Sequence, residues 1–318
     1  MRIGTRASAL ALAQATLVLH ALGEGELVPI LTRGDRESAG VDDSPGEIAG
    51  DGAPGEPPPG EDKSRWVSEL ERALLSGEID VAVHSAKDVP GELADGLALV
   101  AAPARAACED VLCGAASLDA LPSGARVGTS SVRRIAQLRA ARAEIEPVAM
   151  HGNVDTRLRK LADGELDAIV LARAGLQRLG REDASGAPLD PARFVPAPGQ
   201  GTLALQARAD DARAHDALAA IGDAVTLTCL LAERSLARAL DADCDTPLGA
   251  WATRDGEDGS GAGAGRLRLR AWIGLPDGSA WIADELQGAD DAPEELGRAV
   301  AERLTLAGAE EILRAARG

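Results

Sequence analysis

Apolar and polar positions along the chain follow two periods in turn, one of two residues and one close to four. Ile79, Val81 and Val83 alternate with smaller or polar residues, the pattern of a short strand in a buried sheet. The pattern then breaks into four polar side chains, His84, Ser85, Lys87 and Asp88, before Pro90. Proline has no N–H to give to a ladder, so the strand stops there. Polar groups just past the carboxyl end of an α/β strand lie where open α/β sheets bind ligands. The competing reading is a solvated turn with a surface ion pair between Lys87 and Asp88.

The same alternation predicts the rest of the chain. Residues 2–6 read as a strand, and Ser8 as the cap of a helix to about residue 22, with Leu10, Leu12, Leu17, Val18 and Leu22 on its buried face. A strand over 26–32, a helix over 66–76 and a strand over 97–101 follow. From about residue 105 a second α/β pattern begins. Strands at 126–128, 145–149 and 167–171 each lead into a helix, the first two opening with Thr129-Ser130-Ser131 and His151-Gly152-Asn153. Free N–H groups at a helix start attract anions, and arginines one turn in strengthen that reading. The 195–201 turn, rich in proline and glycine, leads to a strand over 202–207 and reads as a hinge back to the first unit. Helices over 211–221 and 224–240 precede three strand-like pieces (248–254, 266–273, 279–286), a glycine-rich hairpin loop at 255–265, and a closing helix over 293–315. That tail predicts a small α+β domain.

Composition narrows the class. Aromatic residues are only 2% of 318, so the core is built from Leu, Val, Ile and Ala. No apolar run is long enough to span a membrane. The start of the chain resembles an amphipathic helix more than a signal peptide, and a cytoplasmic protein is expected. The four cysteines, Cys108, Cys113, Cys229 and Cys244, show no zinc-type spacing, and no metal is expected. Net charge of −18 argues against a nucleic-acid partner. An anionic substrate must therefore be drawn in by a local cationic cluster against the global field. Arginine supplies nearly all the positive charge, and its planar fork suits carboxylates. Residues 35–62 hold 9 acids, 6 glycines and 5 prolines and read as a mobile loop.

Six motifs in order resemble the porphobilinogen deaminase (hydroxymethylbilane synthase) family. They are Arg-Ile-Gly-Thr-Arg-x-Ser at 2–8, Ala-Val-His-Ser-Ala-Lys-Asp-Val-Pro at 82–90, Gly-Thr-Ser-Ser-Val-Arg-Arg at 128–134, Gly-Asn-Val-Asp-Thr-Arg-Leu at 152–158, Pro-Ala-Pro-Gly-Gln-Gly at 196–201, and the loop around Cys244. The resemblance runs from Arg2 to about Trp251. It implies an α/β fold of two domains like those of type II periplasmic binding proteins, hinged around a cleft, with a C-terminal α+β domain. The expected division is 1–101 with 200–221, then 102–199, then 222–318. It implies joining four porphobilinogen molecules head to tail, with loss of ammonia each time and hydrolytic release of the linear tetrapyrrole hydroxymethylbilane. It also implies a dipyrromethane cofactor covalently bound to Cys244, and a monomer acting on a small molecule with no membrane partner.

By the same resemblance Asp88 is the catalytic carboxylate, suited to stabilise positive charge on a pyrrole nitrogen. Lys87, Ser85, Thr129, Ser130, Ser131, Arg133 and Arg134 fall on cofactor-binding positions. Arg6, Ser8, Arg157 and Arg178 fall on substrate-binding positions. Asn153 and Gln200 carry motif matches, with capping or hinge support the alternative for each. His84 lines the cofactor pocket or is a satisfied core histidine. The acids Asp241, Asp243 and Asp245 raise rather than lower a neighbouring thiol's pKa; a modest thiol suffices because the azafulvene left by ammonia loss is strongly electrophilic. His151 stands where the family commonly has arginine, and Ala107-Cys108-Glu109-Asp110 departs from the family's pattern after Arg105. The alternative class is a non-catalytic binding protein using the same cleft for a small anion.

Overall fold

Ser8 accepts from the Ala11 N–H at 3.3 Å, and this cap turns strand β1 (Arg2–Arg6) into helix α1 (Ala9–Leu22). The computed structural model describes residues 1–31, 64–184, 186–243, 245–255 and 265–317, without the side chains of 64–68. The acidic segment 35–62, most of the glycine-rich loop at 255–265, and Cys244 lie outside the described residues.

The first sheet contains β1, β2 (Glu26–Ile30), β3 (Val81–Ser85), β4 (Leu97–Ala101) and β10 (Leu203–Arg208), in the order β2-β1-β3-β10-β4. β1 runs parallel to β2 and β3, while β10 runs antiparallel to β3 and β4. The second sheet contains β5 (Asp110–Cys113), β6 (Arg126–Gly128), β7 (Glu146–Val148), β8 (Ala168–Ala172) and β9 (Ala187–Pro188), in the order β7-β6-β8-β5-β9. Here β6 runs parallel to β7 and β8, and β5 antiparallel to β8 and β9. The two sheets thus repeat one plan: three parallel strands, then an antiparallel strand supplied by the chain as it enters or returns. This repeated plan accords with the two like lobes that the family resemblance implies. Val81, Ala82 and Val83 are buried on both faces, as a central strand requires.

The helices flanking these sheets each bury one face; in α1 that face is Gln14, Ala15 and Val18, with Leu10, Leu12 and Leu22 only half-buried, and Leu17, expected on it, is 51% exposed. In the first lobe, α1 and α6 (Ala212–Ile221) lie on one side, where Ala15, Val18 and Leu218 join Ile3, Val81, Val83 and Leu205. Helix α2 (Ser64–Leu75) lies on the other, where Leu70 and Leu74 meet Ile79 and Ala82. In the second lobe α3 (Val132–Ala141), α4 (Val154–Ala162) and α5 (Arg173–Arg178) follow β6, β7 and β8.

Two crossovers join the lobes, one before β5 and one before β10. The second uses two glycines in left-handed conformation, Gly199 at φ 73° and Gly201 at φ 85°. A Cβ on Gly199 would lie 2.9 Å from Ala86 Cβ, and one on Gly201 would lie 2.6 Å from the Ala106 carbonyl oxygen. The hinge turn is thereby pressed against both the turn after β3 and the first crossover.

The third unit is an antiparallel meander, β11 (Leu248–Arg254), β12 (Arg266–Gly274) and β13 (Trp281–Ala289), packed on α7 (Ala224–Ala239) and α8 (Pro293–Leu306). The closing helix expected over 293–315 is two helices, because Gly308 at φ 103° breaks it before α9 (Ala309–Arg317). β5 and β9 are further elements that hydrophobic periodicity did not predict. Glu233 of α7, fully buried, anchors this unit to both crossovers. It accepts from Arg105 Nη1 at 2.7 Å, from the Gly199 N–H at 2.6 Å and from the Ala252 N–H at 2.8 Å. A buried carboxylate is tolerated only with such complete pairing.

Candidate active site

β3 is held in register by β10, with Ser85 opposite Leu203, and the Ala86 N–H donates to the Thr202 carbonyl. One 3-10 turn, Ala86–Asp88, follows directly and is closed by the Val89 N–H on the Ala86 carbonyl at 3.3 Å. Lys87 and Asp88 are thereby turned into a cavity of about 580 Å³. Ser130, Ser131, Arg133 and Arg134 enter it from the start of α3, and His151 and Arg157 from the start of α4. Gln200 lies at its hinge side. Arg234, Asp243, Asp245 and Thr246 line it from the third unit.

The residues expected as a site are thus partly brought together. Lys87, Asp88, Ser130, Ser131, Arg133, Arg134, Arg157 and Gln200 share the cavity wall. Arg6, Ser8, His84, Ser85, Thr129, Asn153 and Arg178 are not part of that wall. Ser8 and Asn153 cap α1 and α4, the latter accepting from the Thr156 N–H at 2.9 Å. Thr129 is fully buried and accepts from the Ser131 N–H at 3.2 Å. Arg6 is half-buried at the end of β1, as is Ser85 at the end of β3. Arg178 donates to the Gly201 carbonyl at 2.6 Å. Burial pushes its pKa down to about 10, so it remains a cation at the back of the hinge turn.

His84 follows the core-histidine reading. It is buried, with Nε2 2.9 Å from Gln206 Oε1, and Gln206 Nε2 donates in turn to Glu71 Oε1 at 2.9 Å. A carboxylate only accepts, so Gln206 must present its oxygen to His84, which fixes the Nε2–H tautomer. Burial lowers the His84 pKa to about 4, only partly offset by the Gln206 hydrogen bond and the nearby Asp88 charge.

The arginine pair is less available than its sequence suggests. Asp110, fully buried at the start of β5, accepts from Arg133 Nη2 at 2.8 Å and from Arg134 Nη2 at 2.7 Å. Arg133 Nη1 donates to the Val195 carbonyl and Arg134 Nη1 to the Val170 carbonyl. Gln200 Nε2 donates to the Cys108 carbonyl at 2.7 Å and to Asp110 Oδ1 at 3.0 Å. Burial alone would raise the Asp110 pKa, but Arg133 and Arg134 hold it well below the usual carboxylate range. The trio leaves one net positive charge, and Arg133 Nε is buried with no hydrogen-bond partner among the described residues. Ser130 is likewise engaged, donating to the Met150 carbonyl at 2.6 Å and accepting from its N–H at 2.9 Å. The turn that departs from the family's pattern after Arg105 therefore supplies the counter-charge of the arginine pair.

Arg157 is in a different position. Its Nε donates to the Gly152 carbonyl at 2.8 Å, and no carboxylate pairs with it among the described residues. Burial, then the neighbouring Arg134 charge, lowers its pKa. On the third-unit side, Thr246 Oγ1 donates to Asp243 Oδ1 at 2.7 Å and the Asp245 N–H donates to the same oxygen at 3.0 Å. These bonds set the backbone on both sides of position 244.

Lys87, Arg133, Arg134, Arg157 and Arg234 give the wall five cationic side chains, against Asp88, Asp243 and Asp245. A dipyrromethane carries an acetate and a propionate on each ring. The unpartnered Arg133 Nε and the desolvated Arg157 are donors of the kind those carboxylates require, so the residues fit the group. Sequence reasoning missed Asp110, Glu233 and Arg234. For Asp110 the available signal was an acid opening the apolar run Val111–Cys113, which in a strand demands a buried cation.

Two α/β lobes joined by two crossovers, together with the third unit, enclose a cavity with five cationic side chains, the kind of site that suits a polycarboxylate. Residues 1–216 match the family model described as porphobilinogen deaminase, dipyromethane cofactor binding domain, and residues 227–305 match its C-terminal domain. The porphobilinogen deaminase of Xanthomonas campestris pv. campestris (strain B100) is 45% identical over 98% of this chain and 98% of its own. That of Xanthomonas oryzae pv. oryzae (strain PXO99A) is 44% identical over 99% of each chain. The chain belongs to the porphobilinogen deaminase family. It is a transferase of porphyrin biosynthesis that joins four porphobilinogen molecules head to tail, with loss of ammonia, and hydrolytically releases hydroxymethylbilane, using a dipyrromethane cofactor.

Proposed function

We propose that Asp88 is the carboxylate that handles the electron-poor pyrrole and that Cys244 is the point of covalent cofactor attachment opposite it. The observation that carries this reading is that Asp88 and both neighbours of Cys244, Asp243 and Asp245, face one cavity whose other charged wall residues are Lys87, Arg133, Arg134, Arg157 and Arg234, all cationic.

Loss of ammonia from porphobilinogen breaks the aminomethyl C–N bond, and its electron pair leaves with nitrogen. Positive charge then spreads from the methylene carbon to the ring nitrogen. A carboxylate facing that N–H stabilises the charge and holds or returns a proton. The dipyrromethane, when bound, supplies the pyrrole end to which the first porphobilinogen is joined. Arg157, the arginine pair, Lys87 and Ser131 hold carboxylates in the cavity and fix the direction of each ring. Asp110 keeps the arginine pair oriented. Ser8, Asn153, Thr129 and Ser130 serve by shaping the loops that carry these donors. Arg6 and Arg178 bind substrate carboxylates only after lobe movement, since both lie outside the wall. Gln200 supports the hinge, and His84 and Ser85 pack behind the Asp88 turn.

We further propose three domains, 1–101 with 200–221, 102–199, and 222–318, acting as a cytoplasmic monomer. Net charge of −18 disfavours a nucleic-acid partner. The experiment for the central assignment is Asp88→Asn, which keeps shape and loses charge. It should retain the covalent cofactor and turn over porphobilinogen orders of magnitude more slowly. Near-normal turnover would remove Asp88 from this role.

A further inference from the structure

The segment behind Asp88 does not float over the third domain; it is strapped to one stripe of α7. Leu227, Leu230, Arg234 and Arg238 recur at helical spacing and form one face of the helix. Leu230 packs in one cluster with Ala86 and Val89, with Leu227 against it. Arg234 Nη1 donates to the Val89 carbonyl at 3.2 Å, and its Nη2 donates to Pro90 at 2.7 Å and Gly91 at 3.0 Å. Arg238 Nε lies 3.8 Å from Glu92 Oε1, and a Cβ on Gly91 would lie 3.3 Å from Arg238 Cγ.

Arg234 is also part of the cavity wall, and no carboxylate pairs with it among the described residues. Burial, then the Arg238 charge, lowers its pKa to about 10, which leaves it charged at neutral pH. A half-buried cation spent on three carbonyls in a row is an expensive way to hold a loop unless the loop's position matters. Three consecutive residues after Asp88 offer their oxygens to one planar fork, which a lysine ammonium cannot reproduce in the same geometry. The adjacent face of α7 carries Glu233, bound to both crossovers, and the helix ends five residues before Cys244. One rigid element thus touches the hinge, the Asp88 turn and the loop around the acceptor cysteine.

We infer that Arg234 is a positioning residue for the condensation reaction: through the carbonyls of Val89, Pro90 and Gly91 it fixes the Asp88 turn on α7, and so sets where the carboxylate stands relative to the loop around position 244. The inference rests on the assignment of Asp88 proposed above. It assigns Arg234 no contact with the reacting atoms.

The test is a double-mutant cycle of Arg234→Met and Asp88→Asn, read as the rate at which the first porphobilinogen adds to the cofactor-bearing protein, followed by intact mass. Arg234→Met alone should slow this by about tenfold with KM changed less than about twofold, and should cost less than about twofold more in the Asp88→Asn background. Hydrogen exchange of the 86–92 amides should rise in Arg234→Met while the covalent mass increment stays. An unchanged rate, a fully additive loss, a rise in KM at constant kcat, loss of the covalent increment, or unchanged exchange at 86–92 would each overturn the inference. Failure of the Asp88 assignment appears separately, as near-normal rate in Asp88→Asn alone. If Arg234→Met does not fold, the same cycle with Arg234→Lys decides by the same criteria.

Discussion

Asp110 Oδ2 accepts from Arg133 Nη2 at 2.8 Å, deep enough that the Asp110 side chain has no exposure at all. With Arg134 on the other oxygen, one carboxylate holds two guanidinium groups at the floor of the cavity. The arrangement has a defined consequence for pH. Because the folded pKa of Asp110 lies well below the ordinary value, the stability it contributes is fully present above about pH 4 and is lost as pH falls toward the folded value.

Asp110→Asn should therefore destabilise the protein by about 3–5 kcal/mol at neutral pH, because it leaves two buried cations without their counter-charge. The gap between wild type and variant should close as the medium is acidified below about pH 4. Urea midpoints measured across that range decide it. A gap that is small at neutral pH, or that widens in acid, would contradict the pairing.

Arg157 makes the opposite prediction. It is desolvated and lacks a carboxylate partner among the described residues, so removing it should leave stability nearly unchanged or slightly raised. Arg157→Gln should raise KM for porphobilinogen by roughly 10- to 100-fold, the size expected for a lost charge-assisted hydrogen bond. Steady-state kinetics with a thermal melt of the same sample check both halves. Loss of stability with an unchanged KM would reassign Arg157 to the scaffold.

The sequence made the cavity legible where a strand end carries its own chemistry. The run from His84 to Asp88 broke a clear period-two pattern, and the helix starts at 129–131 and 151–153 announced themselves through hydroxyls and amides. It was silent where two distant residues cancel. Nothing near Arg133 or Arg134 marks Asp110, 23 and 24 positions earlier, as their counter-charge. The strand β5 that carries Asp110 is only Asp110–Cys113, and its identity as a strand comes from pairing with β8, not from periodicity. Ser8 and Asn153 show the converse: residues aligned with a binding motif can be satisfied by local capping, since a hydroxyl or amide at a helix start finds a free N–H before any ligand arrives. Arg234 had no sequence signal, because a helix stripe of two leucines and two arginines reads as an ordinary half-solvated face.

His84 should stay neutral over the working range. Its folded pKa of about 4 lies below the free imidazole value of about 6.5, so the unfolded chain takes up the proton first as pH falls. The site's contribution is complete above about pH 6.5 and declines by up to ~3 kcal/mol as pH falls through 4. Ring nitrogen shifts of His84 by NMR should show the Nε2–H tautomer with no titration between about pH 5.5 and 8. A titration midpoint near 6.5, or the other tautomer, would contradict the Glu71–Gln206–His84 chain.

The measurement closest to the central claim is the intact mass of the purified protein, followed by mapping of the peptide containing position 244. The tethered-cofactor account predicts a protein heavier than its sequence by two linked pyrrole units, all of the excess on Cys244 and none in Cys244→Ser. Active protein at its unmodified mass, or the excess on any other residue, would contradict it.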